Sequence, residues 1–254
     1  MLEKRVIPTL LLSKGKLVKT VKFRDPMYIG DPINAVRIFN DKEVDELCLL
    51  DIAASKTNAK INFPLIESIT REAFMPVCYG GGVKTIEDID KLFALGIEKV
   101  ALNNMLFKDK RLVVEAVRKY GSQSIVASID VQKNIFGKYI IKRMSGTKSL
   151  AINLDQAIDY LHDVKVGEIY LTSINREGTM TGFDMNLVKS FSEKTKLPMI
   201  VNGGAGSCED IAEVFRSTNI TAVSCGSFFV YKGKHRAVLI NYPKSKMLSY
   251  LGDI

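Results

Sequence analysis

Short runs of β-branched and aliphatic residues alternate with longer amphipathic stretches along the whole chain. A short apolar run bounded by turn residues is typical of a buried strand, whereas apolar residues three and four positions apart are typical of a helix. These patterns predict eight strands, at 5–11, 46–51, 76–79, 98–103, 124–130, 168–173, 198–202 and 221–225. Helices are predicted between them, including 32–43, 85–95, 109–119, 153–163, 184–195 and 207–216.

Eight strand-then-helix units without a linker are typical of a closed (β/α)8 barrel, and we expect residues 1–254 to form one such α/β domain. An open doubly wound sheet is the alternative. A repeat of half the chain favours the barrel, because a barrel built from two four-unit halves explains it and an open sheet does not. Four features recur 122 residues later: Glu46 as Glu168, Glu87-Asp88-Ile89 as Glu209-Asp210-Ile211, Phe93 as Phe215, and Phe107 as Phe229.

Composition excludes several other classes of protein. No apolar run reaches the roughly 18 residues that would span a bilayer. The charged segment 3–5 and the early Pro8 do not form a signal peptide, so we expect a cytoplasmic protein. The four cysteines are Cys48, Cys78, Cys208 and Cys225. Their wide spacing is typical of reduced core thiols, and the sequence predicts neither a metal nor a cofactor.

The chain carries 36 basic and 28 acidic residues, a formal net charge of +8. Such a field attracts nucleic acids or small phosphorylated molecules. The lysines are spread along the chain, with no basic block and no pattern of stacking aromatics. We therefore expect a phosphorylated small molecule as ligand, and neither a nucleic acid nor a membrane as partner.

Two glycine-rich segments follow predicted strands at equivalent places in the two halves. The first, 80–82, follows the third strand, and the second, 203–206, follows the seventh. Small or amide residues follow the next strand in each half, at 103–104 after the fourth strand and at 226–227 after the eighth. Function gathers at the C-terminal ends of barrel strands, and glycine lets backbone N–H groups converge on an anion. A pair of tight turns is the alternative, but the pairing favours a bisphosphate substrate or its relic.

Seven segments, in one order, match a known family: RVIP at 5–8, GxLVKTVxF at 15–23, GDP at 30–32, GGG at 80–82, SQSIVASID at 122–130, LTSINREGT at 171–179 and VNGGAGS at 201–207. With these segments the chain resembles, over nearly its whole length, the cyclase subunit of imidazole glycerol phosphate synthase. That family is a histidine-biosynthesis barrel which receives ammonia from a glutaminase partner. The resemblance implies two phosphate sites: Gly82, Asn103 and Asn104 in one, and Gly178, Gly204, Gly226 and Ser227 in the other.

The same resemblance implies a catalytic carboxylate at Asp130 and a functional lysine at Lys19, on the first loop. The second catalytic carboxylate of the family falls on Leu11. One positioned acid–base group is worth roughly 10²–10⁴-fold in rate, so we expect the cyclase step to be impaired. The alternatives are that Asp130 alone carries the reaction, or that Asp51 substitutes.

Charged residues stand early on four predicted strands: Arg5, Glu46, Lys99 and Glu168. Side chains alternate along a strand, so Arg5 and Leu11 point into one lumen, about 16 Å apart along its axis. The sequence alone favours a salt-bridged plug of the barrel floor, because buried charges are costly unless paired. The resemblance implies instead a gate for ammonia from a glutaminase on the N-terminal face, with Glu98 contacting that partner. Residues expected to line the route are Thr9, Cys48, Ala101, Tyr170 and Thr172.

Because the chain has the four charges of the barrel floor but Leu11 in place of one carboxylate, it resembles the paralogous branch of the family that accompanies surface-polysaccharide synthesis. In that branch the barrel and a glutaminase supply ammonia to an amidotransferase that converts an acetamido sugar to an acetamidino sugar. We therefore expect an ammonia-conducting subunit. A working histidine-pathway cyclase and a phosphate-binding scaffold are the alternatives. The chain has no glutaminase of its own, because neither His162 nor His235 lies near a cysteine in a nucleophile-turn context.

Overall fold

The computed structural model describes residues 4–57 and 59–251, and its centre is a closed barrel of eight parallel strands. The strands are β1 (Arg5–Ser13), β2 (Leu47–Asp51), β3 (Val77–Gly80), β4 (Lys99–Leu102), β5 (Ile125–Lys133), β6 (Glu168–Ser173), β7 (Met199–Asn202) and β8 (Ala222–Cys225). Neighbours in the chain are neighbours in the barrel, and β8 pairs with β1 to close it. The predicted (β/α)8 barrel is confirmed, and the open sheet is wrong.

Helices surround the barrel. They are α1 (Pro32–Asp41), α2 (Ala54–Thr57), α3 (Phe63–Glu72), α4 (Ile86–Ala94), α5 (Asn104–Lys108), α6 (Lys110–Tyr120), α7 (Leu154–Val164), α8 (Met185–Ser192), α9 (Cys208–Ser217), α10 (Ser227–Val230) and α11 (Lys244–Leu251). Their apolar sides pack on the outward side chains of the strands, as Phe39 of α1 and Phe191 of α8 show by their complete burial. None of the helices in the described ranges is long and apolar enough to cross a membrane.

A second, smaller apolar cluster fills the lumen. Its members are Ile7, Cys48, Cys78, Ala101, Val126, Tyr170, Ile200 and Ala222. Most barrel strands are therefore buried on both faces, which is why they appear in the sequence as continuous apolar runs rather than as alternating ones. All four cysteines are buried and free, as expected.

The two halves of the barrel repeat in local structure as well as in sequence. Thr85 before α4 and Ser207 before α9 form the same reciprocal capping box, in which each hydroxyl accepts the backbone N–H three residues on. Asn103 before α5 and Gly226 before α10 have nearly the same backbone angles, φ −112° and ψ −71° against φ −101° and ψ −75°. The offset of half the chain therefore corresponds to two similar half-barrels.

Two hairpins at the C-terminal mouth were not predicted. The first hairpin comprises Lys16–Val21 and Arg24–Gly30 and extends β1. The second hairpin comprises Tyr139–Arg143 and Lys148–Ser149 and extends β5. The buried Lys19 interrupts the apolar run that would have indicated the first of these strands. The barrel strands themselves begin and end within three residues of their predicted limits.

Candidate functional site at the mouth and floor of the barrel

The C-terminal ends of the strands surround a mouth cavity of about 120 Å³. Charged, amide, hydroxyl and glycine positions from distant parts of the chain line it together with the aliphatic Leu11. The polar and glycine positions include Lys19, Asp51, Asn103, Asp130, Glu177, Gly178, Gly204, Gly226 and Ser227. The residues expected for catalysis and for the second phosphate site therefore meet in one place. Gly82 and Asn104 lie in a neighbouring cavity of about 420 Å³, and Asn103 lines both.

Asp130, on β5, is a buried carboxylate of the barrel wall that lines the mouth cavity. Its Oδ2 accepts a hydrogen bond from Asn103 Nδ2 at 3.1 Å, and the same amide donates to the Ser128 carbonyl at 3.0 Å. Burial raises the pKa of Asp130 to about 7, while the Asn103 hydrogen bond lowers it and the negative charge of Glu177 raises it further. A carboxyl group that titrates near neutral pH is suited to proton transfer.

Leu11 lies on β1 and lines the same cavity as Asp130. It is paired in register with Leu50 of β2 and with Val18 of the first hairpin, and only 8% of it is exposed. An aliphatic side chain neither gives nor takes a proton. The wall therefore lacks an acid–base group at the position where the family resemblance implies one.

Asp51, the alternative acid, is engaged in a local turn. Its Oδ1 accepts the backbone N–H groups of Ala53 and Ala54, both at 3.0 Å, immediately before α2. Burial raises the pKa of Asp51, and these two hydrogen bonds lower it. The carboxylate therefore stabilises the turn, which argues against its replacing the missing group at Leu11.

Glu177, which sequence analysis did not single out, is a second buried carboxylate at the mouth. It follows β6 and forms an ion pair with Lys19 in which both side chains are 5% exposed. Its Oε2 also accepts the Thr20 hydroxyl at 3.1 Å and the Phe23 backbone N–H at 3.2 Å. Glu177 therefore joins the first hairpin to the loop after β6. The available signal was that it is the only acid in the motif at 171–179.

Lys19 lies against the corner expected to bind the second phosphate. A Cβ added to Gly226 would come within 2.8 Å of Lys19 Cε and 3.2 Å of its Nζ, so glycine makes room for the lysine. Gly204 has φ +125°, and a Cβ there would meet the Gly182 carbonyl oxygen at 2.1 Å. The Oγ of Ser227 is buried and has no hydrogen-bond partner among the described residues. A cation, a glycine backbone and an orphan hydroxyl are groups that can hold a phosphate.

At the N-terminal end, four charges form a closed ring across the lumen. Arg5 donates to Glu46 and to Glu168, both at 2.5 Å. Lys99 Nζ lies 3.1 Å from both Glu46 carboxylate oxygens and 2.9 Å from Glu168 Oε2. Burial lowers the pKa of Arg5 and of Lys99, but the charges of Glu168 and Glu46 outweigh it and raise both pKa values. We call these residues the floor ring: Arg5, Glu46, Lys99 and Glu168.

Between the floor ring and the mouth, hydroxyl groups line the lumen. The Tyr170 hydroxyl shares hydrogen bonds with Thr9 at 2.7 Å and with Ser224 at 3.0 Å, and Thr9 also contacts Ser224. Cys48 and Ala101 lie in the same buried lumen cluster as Tyr170, and Thr9, Ala101 and Thr172 line the mouth cavity. Each expected lumen residue therefore lies in the lumen cluster or at the mouth cavity.

The chain matches the family described as histidine biosynthesis protein over residues 5–236. The chain belongs to this family. It is 49% identical over 243 residues to a Pseudomonas aeruginosa protein provisionally named imidazole glycerol phosphate synthase subunit hisF2, with 96% of this chain and 97% of the relative covered. The family that the sequence motifs indicated is therefore confirmed.

Two further relatives extend this similarity. A Vibrio vulnificus protein, provisionally named imidazole glycerol phosphate synthase subunit hisF3, is 43% identical over 244 residues, which are 96% of this chain and 94% of the relative. The imidazole glycerol phosphate synthase subunit HisF of Alkaliphilus metalliredigens is 35% identical over 234 residues, 91% of this chain and 92% of the relative. The chain is thus a HisF-like barrel. Within residues 4–57 and 59–251, no group of three or more acidic, histidine or cysteine side chains is placed to hold a metal.

The first prediction concerns pH. Because the pKa of Asp130 is raised from 3.8 to about 7, the folded chain binds more protons than the unfolded chain between these values. This group's contribution to the free energy of unfolding is therefore greatest below about pH 4 and is lost as the pH rises to about 7. Asp130→Asn removes the titration. In urea denaturation, the free energy of unfolding of the variant minus that of the wild type should increase by roughly a few kcal/mol as the pH rises through that interval. A difference that does not change with pH would contradict the assignment.

The second prediction concerns the ion pair of Glu177 and Lys19. Glu177→Gln leaves a buried ammonium without its counter-charge and should lower the free energy of unfolding by about 3–5 kcal/mol, measured by urea denaturation. The matched control is Glu209→Gln, which breaks an exposed ion pair with Arg216 and should cost less than about 1 kcal/mol. Equal costs for the two variants would show that Glu177 does not hold the first hairpin.

Proposed function

We propose that this chain is the ammonia-conducting subunit of a glutamine amidotransferase complex. A glutaminase binds its N-terminal face, and ammonia passes through the lumen to a sugar-modifying amidotransferase. The observation that carries the proposal is the contrast between the two ends of the barrel. The floor ring is complete, with each carboxylate contacting both cations, whereas the mouth has Leu11 where the family resemblance implies a catalytic carboxylate.

The energetics of the floor ring support a passage. Replacing a buried ion pair by well-packed apolar residues is often neutral or stabilising, so an apolar plug would close the barrel as well as four charges do. A ring whose ion pairs separate and re-form would open and close the lumen, which gives the four charged side chains a function. Ammonia is small and neutral and can enter a lumen lined by hydroxyl and thiol groups, whereas ammonium would have to be desolvated. Glu98, immediately before β4 and adjacent in sequence to Lys99 of the ring, is proposed to contact the glutaminase.

The relatives support a branch of the family distinct from its ordinary synthase subunits. Identity is 49% and 43% to two relatives whose names carry a number and are provisional, and 35% to a relative named HisF without qualification. Their printed names concern imidazole glycerol phosphate synthase alone. The sugar acceptor is therefore proposed from the family resemblance together with Leu11.

A working cyclase is the second candidate, and one observation favours it. Asp130 has a pKa near 7 and lies in the cavity that also contains Lys19 and the phosphate corner of Gly204 and Gly226. Those parts would serve a bisphosphate substrate. A phosphate-binding scaffold without ammonia would need the same corner but gives the floor ring no role. The ring therefore favours the first two candidates, and Leu11 favours the first of them.

The third prediction separates the ammonia-conducting subunit from a working cyclase. With ammonium salts, the protein should convert the family's phosphoribulosyl substrate at least about 10²-fold more slowly than a family member that has both carboxylates. Leu11→Asp should raise this rate, because Asp130, Lys19 and the phosphate corner are in place. The same preparation should nevertheless stimulate its cognate glutaminase to hydrolyse glutamine.

Leu11→Asn is the matched control, because it has nearly the shape of aspartate but no carboxyl proton, and it should not restore the cyclase rate. A wild-type cyclase rate equal to that of the two-carboxylate family member would show that the chain is a synthase subunit. Failure to bind or stimulate any glutaminase would contradict the ammonia-conducting subunit and leave the floor ring as a structural plug.

A further inference from the structure

The cavity beside the mouth has a charge pattern that ammonia passage does not explain. Its volume, about 420 Å³, lies in the range of small-molecule sites. Among the described residues no Asp or Glu lines it, and four of its lining residues are cationic: Lys84, Lys108, Arg143 and Lys148. We call this space the basic cavity. Its lining indicates an anionic ligand.

The fold brings these cations together from three separate segments. Lys84 follows β3, Lys108 ends α5, and Arg143 and Lys148 lie directly opposite each other in the second hairpin. Like charges opposite each other on neighbouring strands are destabilising. The second hairpin therefore carries an unfavourable pair where it borders the basic cavity, and a bound anion would offset that cost.

Arg143, which lines the basic cavity, carries an unsatisfied hydrogen-bond donor. Its side chain is partly buried, and its Nε is buried without a hydrogen-bond partner among the described residues. Its guanidinium forms no ion pair with any residue of the described ranges, nor do the ammonium groups of Lys108 and Lys148. A buried donor without an acceptor costs free energy. The planar guanidinium fork matches the oxygens of a phosphate group.

The opposite wall of the basic cavity contains Gly82, Asn103 and Asn104, the corner expected to hold one phosphate. A single phosphate in that corner leaves Arg143 and Lys148, on the second hairpin, available for another anionic group. We propose that the basic cavity binds a diphosphate, with one phosphate at the Gly82 and Asn104 corner and the adjacent one at Arg143 and Lys148. This site rests on one of the two phosphate sites that the proposed function takes from the family, that of Gly82, Asn103 and Asn104, but it is independent of the passage of ammonia.

The experiment is calorimetric titration of the whole protein with inorganic pyrophosphate and, separately, with inorganic phosphate, at low ionic strength. Pyrophosphate should bind at least about tenfold more tightly than phosphate, because it engages charged donors on both walls. Arg143→Gln should weaken pyrophosphate binding by about tenfold or more and change phosphate binding little.

Lys142→Gln is the matched control. Lys142 is next to Arg143 on the same strand, but its Nζ donates to Ser149 at 3.0 Å and it does not line the basic cavity. This variant should bind pyrophosphate as the wild type does. Thermal unfolding of both variants checks that the second hairpin and the barrel remain folded.

Backbone amide chemical shifts locate the bound anion. Pyrophosphate should shift the amides of Gly82 and Asn104, and shifts confined to Gly204 and Gly226 would overturn the proposal. Equal binding of pyrophosphate and phosphate, or equal losses in Arg143→Gln and Lys142→Gln, would also overturn it while leaving the single phosphate site at Gly82 and Asn104 intact. Absence of binding by either anion at millimolar concentration would overturn both the diphosphate site and the phosphate site at Gly82 and Asn104 on which it rests.

Discussion

Two carboxylates and two cations close the N-terminal end of the lumen, and each carboxylate contacts both cations. The glutamates are almost fully buried, so neither tolerates the loss of its counter-charges. This mutual dependence makes the floor ring a single unit, and it is closed in this structure because all four ion pairs are made. In the proposed function the floor ring is the entrance for ammonia, the hydroxyl-lined lumen is its route and the C-terminal mouth is its exit.

The C-terminal mouth contains a different buried ion pair. Lys19 and Glu177 hold the first hairpin against the loop after β6 and place the lysine against Gly226. Asp130 lies in the barrel wall with a pKa of about 7, and Leu11 lines the same cavity without an acid–base group. The mouth therefore contains groups that can hold an anion, and an aliphatic side chain where the family resemblance implies a second catalytic carboxylate.

The sequence predicted the parts of this arrangement that depend on strand order and side-chain alternation. The floor ring followed from charged positions early on four strands, and the equivalent glycine corners followed from the half-barrel repeat. Glu177 was missed because its partner, Lys19, is 158 residues away in the sequence. Lys19 also interrupts the apolar pattern of its own strand, so that strand was not predicted. The basic cavity was missed for a similar reason, since Arg143 and Lys148 meet only through a hairpin that no apolar pattern indicated.

Passage of ammonia through the floor ring is the central claim, and an isotope experiment tests it most directly. The barrel, its cognate glutaminase and the sugar amidotransferase are given glutamine labelled with ¹⁵N in the amide, together with excess unlabelled ammonium. Conduction through the lumen predicts that the amidino product carries ¹⁵N. It also predicts that Lys99→Met lowers the enrichment, whereas Lys119→Met, at an exposed pair with Asp90, does not. Unlabelled product from the wild-type complex would show that the acceptor takes ammonia from solution and would contradict the account.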